Sequence, residues 1–249
     1  MRILAHRGSP GTTSVENTVP AVHGCLEAGA DGIEVDLRLS ADGVLVVCHD
    51  PDLSRLTGLP LPVAHSTWAD LRAAADTRAV PLARVEWVLA AAAGHRVVLE
   101  VKAPPPGGLR PTVDAVVDRL CVLRDAGLPL DVTVSSFAPE VAAAVRALAP
   151  ASLELRTALL GRPTVRPSWL VARALSAGHD EVHPHVAALL GDPGSVAAAH
   201  RCGLAVVPWT VNRSRAVRRL ASLGVDALIT DSPVRARAAL LTTGRLSAA

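Results

Sequence analysis

The sequence predicts an α/β fold, a (β/α)8 TIM barrel with a β-hairpin and a short insertion after the second strand. Short runs rich in Val, Leu and Ile alternate with Ala-, Leu- and Arg-rich segments of helical period, as in a parallel sheet with crossover helices. Eight such units within 249 residues match the usual size of this barrel. A doubly wound open sheet is the alternative, because it shows the same alternation.

Nine runs have the composition of strands: 2–8, 32–39, 44–50, 96–102, 132–137, 153–160, 180–184, 204–210 and 226–231. Only residues 40–43 separate the second run from the third, whereas a parallel crossover needs about a dozen residues. The Ala-Asp-Gly sequence there is typical of a hairpin turn. The remaining eight runs alternate with helical segments predicted at 15–29, 82–93, 111–126, 138–148, 166–177, 194–202, 213–223 and 233–247.

The composition is that of an ordinary globular protein, with 50% hydrophobic and 19% charged residues. We therefore expect one domain over residues 1–249. Residues 51–80, rich in Pro, Thr and Asp, are predicted to form the short insertion before the second barrel helix.

Composition also excludes several classes of function. The net charge is only +2, the basic residues are scattered, and one Phe and no Tyr are present, so nucleic-acid binding is not indicated. Four widely spaced cysteines without a C-x-x-C pair argue against a zinc knuckle or a disulfide framework. Because neither a signal peptide nor an apolar run of about 18 residues is present, we expect a cytoplasmic protein without stable membrane association. The oligomeric state is left open.

Polar residues mark the carboxyl ends of most predicted strands. They are His6 and Arg7, Glu34 and Asp36, Glu100 and Lys102, Ser135 and Ser136, Trp209 and Asn212, and Asp231. Active sites of such barrels are assembled at this rim. Residues two apart in a strand share a face, so Glu34 lies with Asp36, and Glu100 with Lys102.

Glu34, Asp36 and Glu100 are candidate metal ligands. Carboxylates that converge in a barrel mouth repel each other unless a cation lies among them. Oxygen ligands without cysteine favour one hard divalent ion, Mg²⁺ or Ca²⁺, over zinc. The alternative is that barrel arginines neutralise these acids.

His6 and His49 differ from the other histidines of the chain. Each follows an apolar strand beside a charged residue, and the hairpin brings His49 to the rim that carries His6. Two imidazoles beside a metal-bound anion are suited to general acid and base catalysis near neutral pH. The other seven of the nine histidines are assigned structural roles.

Lys102 is the only lysine among 25 basic residues. A compact ammonium fits beside a metal-bound oxyanion where a planar guanidinium does not, whereas Arg7 can donate two hydrogen bonds to a phosphate. A single lysine can also persist by chance in a chain biased toward arginine.

Seven short motifs occur in order over almost the whole chain. They are AHRG (5–8), ENT (16–18), GADGIEVD (29–36), DGVLVVCHD (42–50), EVK (100–102), WTVN (209–212) and TD (230–231). Each is weak alone, but the ordered set is specific. In these motifs the sequence resembles the glycerophosphodiester phosphodiesterase family.

The resemblance implies a metal-dependent barrel enzyme that hydrolyses glycerophosphodiesters to sn-glycerol 3-phosphate and an alcohol. In that family the glycerol 2-hydroxyl attacks phosphorus, and water then opens the cyclic phosphate. At matching positions the resemblance implies a set of roles: His6 and His49 as catalytic acid and base, Arg7 and Lys102 as phosphate ligands, and Glu34, Asp36 and Glu100 as metal ligands. Trp209 either packs against the glycerol or fills the barrel mouth.

Other positions stay open at this point. Glu16 and Asn17 belong to a matched motif, but this stretch also predicts a helix start with Ser14 or Asn17 as the cap. The loops expected around the leaving alcohol depart from the family pattern: 51–80 is short, LARVEW replaces an acidic pair, and APPPGGLRP follows Lys102. A lipid substrate, as for a lysophospholipase D or a sphingomyelinase D, and a binding role without turnover are therefore the alternatives.

Overall fold

The computed structural model describes residues 1–8 and 15–246 and confirms the predicted fold class. Its strands are β1 (Arg2–Ala5), β2 (Gly32–Leu39), β3 (Leu45–Val47), β4 (Ala83–Arg84), β5 (Arg96–Val101), β6 (Asp131–Ser136), β7 (Arg156–Gly161), β8 (Glu181–Pro184), β9 (Ala205–Val206) and β10 (Ala227–Thr230). Its helices are α1 (Val19–Glu27), α2 (Ser54–Thr57), α3 (Trp68–Asp76), α4 (Val85–Ala91), α5 (Leu109–Asp125), α6 (Pro139–Leu148), α7 (Pro167–Ser176), α8 (Val186–Gly191), α9 (Gly194–Arg201), α10 (Ser214–Ser222) and α11 (Pro233–Leu246). Among them none is long and apolar enough to cross a bilayer.

Eight parallel strands lie side by side in the order β10-β1-β2-β5-β6-β7-β8-β9. The last strand of the chain pairs with the first, which is the order of a TIM barrel and not of a doubly wound sheet. Within the described residues no strand ladder joins β9 to β10. Single backbone bonds connect them instead: the Asp226 N–H donates to Val206 O at 3.1 Å, and the Ile229 N–H donates to Pro208 O at 2.9 Å.

The predicted hairpin is confirmed. β2 pairs antiparallel with β3, with Leu37 opposite Val47 and Leu39 opposite Leu45. Gly43 in the turn has a φ of 81°, which glycine adopts without a steric penalty. The short strand β4 pairs with β3 and was not predicted. Because β4 occupies Ala83–Arg84, the helix predicted to begin at residue 82 begins at Val85.

The insertion at 51–80 has structure of its own. It contains α2, α3 and a 3₁₀ turn at Val63–His65. A separate apolar cluster joins this segment to the hairpin and includes Val46, Leu53, Val63 and Leu71. The insertion therefore packs against β3 and stands beside the barrel mouth.

The first barrel helix begins later than predicted, at Val19. The Thr18 side chain accepts a hydrogen bond from the Ala21 N–H at 3.3 Å, so Thr18 is the N-cap. The prediction of Asn17 as the cap is therefore wrong, and Ser14 lies outside the described residues. Asn17 is left available for the site below.

Two further elements differ from the sequence prediction. The run 204–210 forms a strand only at β9, because Pro208 has no N–H to donate to a ladder. Helix α8 was not predicted, and it begins where the His185 ring accepts a hydrogen bond from the Ala187 N–H at 3.1 Å.

Alternation along the strands separates the barrel interior from the layer beneath the helices. In β5, Val97 belongs to the large apolar cluster under the helices, whereas Val98 packs inside the barrel with Leu4. Glu100 lies two residues beyond Val98, so it faces the interior as well. The same period directs the two acids of β2 inward.

The amino end of the barrel is closed by a buried ion-pair network around Glu181. Its carboxylate accepts hydrogen bonds from Arg96 and from the Thr133 hydroxyl, and lies 3.2 Å from Arg156 Nε. Burial alone would raise the pKa of Glu181. The hydrogen bond from His183 and the neighbouring guanidinium charges outweigh burial and lower this pKa to about 2. Arg96 and Glu181 are the first residues of β5 and β8, at the end of these strands opposite the carboxyl-end rim, which fits a structural role.

Candidate active site

Glu34, Asp36 and Glu100 converge at the carboxyl end of the barrel. Pairing of β2 with β5 places Asp36 opposite Glu100, and Glu34 precedes Asp36 on the same face. One oxygen atom of each carboxylate lies within 4.8 Å of the others, and all three residues are buried. The three predicted acids thus form one cluster.

This cluster is short of positive charge around Glu34. Burial raises the pKa of Glu34 to about 8, and the charges of Asp36 and Glu100 contribute to the increase. The Glu34 Oε1 atom is buried and has no hydrogen-bond partner among the described residues. An unpaired carboxylate oxygen beside two other carboxylates is a donor set suited to a hard divalent ion. The residues present therefore fit the predicted cation.

Lys102 lies between two of the acids. Its Nζ atom is 2.6 Å from Asp36 Oδ1 and also contacts Glu100 Oε1. Burial would raise the pKa of Asp36, but the charge and hydrogen bond of Lys102 outweigh burial and lower it. The ammonium thus partners the acids directly, and its contact with a phosphate remains a prediction.

Arg7 contributes both its backbone and its side chain. With a φ of 55° it directs its N–H to Glu34 Oε2 at 3.0 Å. Such a left-handed conformation is strained for a residue other than glycine and is typical of functional sites. The guanidinium donates to Glu16 Oε1 at 2.9 Å and lies 3.6 Å from Asp36 Oδ2. Arg7 therefore holds the cluster from its outer side.

His6 is held by one carboxylate and faces another. Its Nδ1–H donates to Asp231 Oδ1 at 2.6 Å, and its Nε2 lies 3.9 Å from Glu34 Oε2. Asn212 Nδ2 donates to the second oxygen of Asp231, and Asn212 Oδ1 accepts from the Asp231 N–H at 2.9 Å. Burial opposes protonation, but the Asp231 hydrogen bond and the Glu34 charge raise the pKa of His6.

His49 has an analogous arrangement on the hairpin side. Its Nδ1–H donates to Asp50 Oδ1 at 2.7 Å, and Asp50 accepts from Arg55 Nε at 2.5 Å. Arg55 also donates to Glu16 Oε1 at 2.6 Å. Two nitrogens of Arg38 donate to the His49 carbonyl at 3.0 and 2.8 Å. Both the ring and the backbone of His49 are thus held in place.

Trp209 forms a fixed wall of the mouth. Its ring packs edge to face against Phe137 and His185, with centroids 5.3 and 5.2 Å apart, and its Nε1–H donates to His183 O at 3.0 Å. A small cavity of about 10 Å³, the Trp209 cavity, is lined by His6, Glu34, Glu100, Ser135, Leu160, Trp209 and Ile229. Ser136 does not reach it, because its hydroxyl donates to Val101 O at 2.7 Å.

Comparison with known proteins assigns the chain to a family. Residues 6–235 match the model of the glycerophosphoryl diester phosphodiesterase family. The chain belongs to this family. A glycerophosphodiester phosphodiesterase of Bacillus altitudinis is 29% identical, over 94% of this chain and 96% of that protein.

Solved structures of this phosphodiesterase family share the fold. The glycerophosphodiester phosphodiesterase of Agrobacterium tumefaciens is 26% identical with a TM-score of 0.75, over 96% of this chain and 98% of that chain. A phosphodiesterase of Oleispira antarctica, solved with the product sn-glycerol-3-phosphate, has a TM-score of 0.80 at 24% identity, over 96% of each chain. Both the family resemblance, which the motifs indicated, and the TIM barrel, which the alternation of strands and helices predicted, are thereby confirmed.

Within the family motifs, Asn17 has a role that the sequence left open. Asn17 is buried, and its Nδ2 donates to Asp36 Oδ2 at 2.7 Å while its Oδ1 accepts from the Asp36 N–H at 3.1 Å. Its φ of 60° turns the side chain toward β2. The ENT motif was the available signal, but a helix cap explained it equally well.

Asp50, Arg55 and Arg38 were not singled out from the sequence. Asp50 directly follows His49, which was a usable signal for a residue that orients the ring. Arg55 lies in the insertion and Arg38 near the hairpin turn, so only the folded hairpin brings them to His49.

Proposed function

We propose that the chain, acting as a single catalytic domain, hydrolyses glycerophosphodiesters to sn-glycerol 3-phosphate and an alcohol with one divalent cation. The observation that carries this proposal is a pair of imidazoles beside one buried carboxylate cluster: His6 Nε2 lies 3.9 Å from Glu34 Oε2, and His49 follows Cys48, whose N–H donates to Asp36 O at 3.0 Å. Each ring is bound at Nδ1 by an aspartate, which leaves Nε2 for proton transfer.

Glu34, Asp36 and Glu100 would hold the cation, Mg²⁺ or Ca²⁺. When bound, this ion supplies positive charge that stabilises the charge developing on a phosphoryl oxygen. The unpaired Oε1 of Glu34 supports the assignment. Arg7 and Lys102, at the edge of the same cluster, would bind and orient the phosphate through charge-assisted hydrogen bonds.

The two histidines would divide the proton transfers. His6 presents Nε2 to the carboxylate cluster, 3.9 Å from Glu34 Oε2, and would take a proton from a glycerol hydroxyl bound beside the cluster and the Trp209 indole. His49 lies on the hairpin side and would protonate the departing alcohol. Water would then open the cyclic phosphate: His49 would take a proton from this water, and His6 would return its proton to the glycerol oxygen. The product bound to the Oleispira antarctica phosphodiesterase supports sn-glycerol 3-phosphate as the product here.

The lipid alternative is not favoured, because two relatives matched over 96% and 94% of their length are named glycerophosphodiester phosphodiesterases. A lysophospholipase D of Mus musculus matches over only 18% of its length. A binding role without turnover would be expected to lack a ligand or a proton-transfer residue, whereas the chain carries both histidines and all three carboxylates of the family motifs.

An assay of the purified chain tests the proposal. Several glycerophosphodiesters and lysophosphatidylcholine are supplied with Mg²⁺ or Ca²⁺, with EDTA as the control and released sn-glycerol 3-phosphate as the readout. We expect metal-dependent release from glycerophosphodiesters. Absence of turnover with every diester and both ions would contradict the proposal, as would faster cleavage of the lysophospholipid.

A further inference from the structure

A second cavity borders the site on the hairpin side. Its volume is about 310 Å³, at the lower end of the range for small-molecule sites. The insertion and the loop after β5 form its walls. We call it the proline pocket after four of its lining residues: Pro51, Pro62, Pro104 and Pro105.

The proline pocket is connected to the reacting groups by two side chains. Lys102 lines it and also contacts Asp36 and Glu100 of the carboxylate cluster. Arg38 lines it and holds the His49 carbonyl. The pocket shares no lining residue with the Trp209 cavity. The Trp209 cavity, at about 10 Å³, has room for a single water at most, so of these two cavities only the proline pocket is large enough for an arm of a phosphodiester.

The ionisable residues that line the proline pocket are Arg38, His65 and Lys102, and among the described residues neither a carboxylate nor a Phe or Trp ring lines it. Lys102 is already paired with Asp36 and Glu100, so Arg38 supplies the uncompensated positive charge of the pocket. The Arg38 guanidinium binds only the His49 carbonyl and has no carboxylate partner in the described part of the chain. A quaternary ammonium is bound by aromatic faces or acids, and like charges repel it.

We infer that the proline pocket receives the leaving alcohol and selects uncharged or anionic alcohols, such as glycerol or inositol, over choline and ethanolamine. The inference rests on the proposed function and adds the substrate class to it. Rigid proline walls exclude water around the alcohol without ordering flexible side chains. Arg38, whose guanidinium has no carboxylate partner among the described residues, then favours hydroxyl or anionic groups.

Substrate comparison gives the first test. We expect kcat/KM for glycerophosphoglycerol and glycerophosphoinositol to exceed that for glycerophosphocholine and glycerophosphoethanolamine by about tenfold, as one unfavourable charge contact at an intermediate dielectric gives. If no diester is hydrolysed, the proposed function fails. If diesters are hydrolysed but the cationic ones react as fast as the others, this inference alone fails.

A carboxylate added to the pocket gives the second test. Ala103→Glu and His65→Glu, both at exposed lining positions, should each raise the ratio of choline to glycerol diester turnover by about tenfold. Comparing two substrates in one variant cancels a general loss of activity. The matched control is Ala143→Glu, an exposed position of α6 that does not line the pocket. An unchanged ratio in both pocket variants, or the same change in the control, would overturn the inference.

Discussion

The Nδ1 atom of His6 lies 2.6 Å from Oδ1 of Asp231, so a residue after the last strand orients an imidazole after the first. Asp231→Asn should lower kcat about tenfold or more, because the ring loses its anchor. The Asp231 hydrogen bond raises the pKa of His6, so its loss should lower this pKa. The limb of the kcat/KM against pH profile that reports His6 should therefore move to lower pH.

The control for this variant uses an exposed pair on the outer surface. His200 Nε2 lies 2.9 Å from Asp226, and His200→Ala should leave both kcat and the pH profile unchanged. An Asp231→Asn enzyme with an unshifted limb would show that Asp231 does not act through His6.

If His49 acts as proposed, His49→Ala should lower turnover by at least about a hundredfold, because the leaving oxygen would lose its proton donor. The exposed His23→Ala provides the matched control and should retain full activity. Circular dichroism should show the same fold for both variants. Near-normal hydrolysis by His49→Ala would remove this residue from the mechanism.

Metal binding and pH should be linked through Glu34. Without metal, the pKa of Glu34 is raised from 4.5 to about 8 by burial. A carboxyl with a raised folded-state pKa contributes stability at low pH that is lost as the pH rises toward that value. The Tm of the EDTA-treated protein should therefore fall as the pH rises from 4.5 to about 8.

Added Mg²⁺ or Ca²⁺ should raise the Tm more at the upper end of that pH window than at the lower end. In Glu34→Gln the Tm of the metal-free protein should depend less on pH, and the metal-induced rise in Tm should be smaller. A metal-induced change in Tm that is independent of pH would contradict the link to Glu34.

Asn17 offers a test of how Asp36 is oriented. Asn17→Gly keeps the positive φ but removes the amide that binds Asp36, so divalent-ion affinity should fall about tenfold or more in calorimetric titration. Asn17→Ala should lower the divalent-ion affinity by the same factor. It should also be about 1 kcal/mol less stable than Asn17→Gly, because alanine is strained at this positive φ. Wild-type affinity in the glycine variant would limit Asn17 to a backbone role.

Glu181→Gln should reduce the free energy of unfolding at neutral pH by about 3 kcal/mol, because the buried Arg96 guanidinium loses its carboxylate partner and the partly exposed Arg156 loses one of two. The folded-state pKa of Glu181 is lowered from 4.5 to about 2, so its contribution is present above 4.5 and lost as the pH falls through 2. Urea unfolding should show the difference between variant and wild type shrinking across that window. The exposed Glu154→Gln is the control, and a constant difference would contradict the account.

The sequence was sufficient for the barrel and for the acids of β2 and β5. Side chains alternate between the two faces of a strand, so the sequence alone predicts which face carries Glu34, Asp36 and Glu100. The hairpin followed from the four-residue connection, since its length alone rules out a parallel crossover.

Contacts between distant segments could not be read from periodicity. Asp231 and His6 are neighbours only because β10 pairs with β1. Asn17 was ambiguous because a short amide both caps helices and adopts positive φ, and only the fold shows which property is used. The insertion helices were missed because their apolar residues pack on the hairpin and not on the barrel.

The insertion has an apolar cluster of its own, distinct from the one beneath the barrel helices. Substitutions in separate clusters affect stability almost independently. If the proline pocket receives the alcohol, most of residues 51–80 could change to suit a new one without disturbing the barrel core. Arg55 is the exception, because it holds Asp50 and Glu16 beside His49 and ties this segment to the barrel mouth.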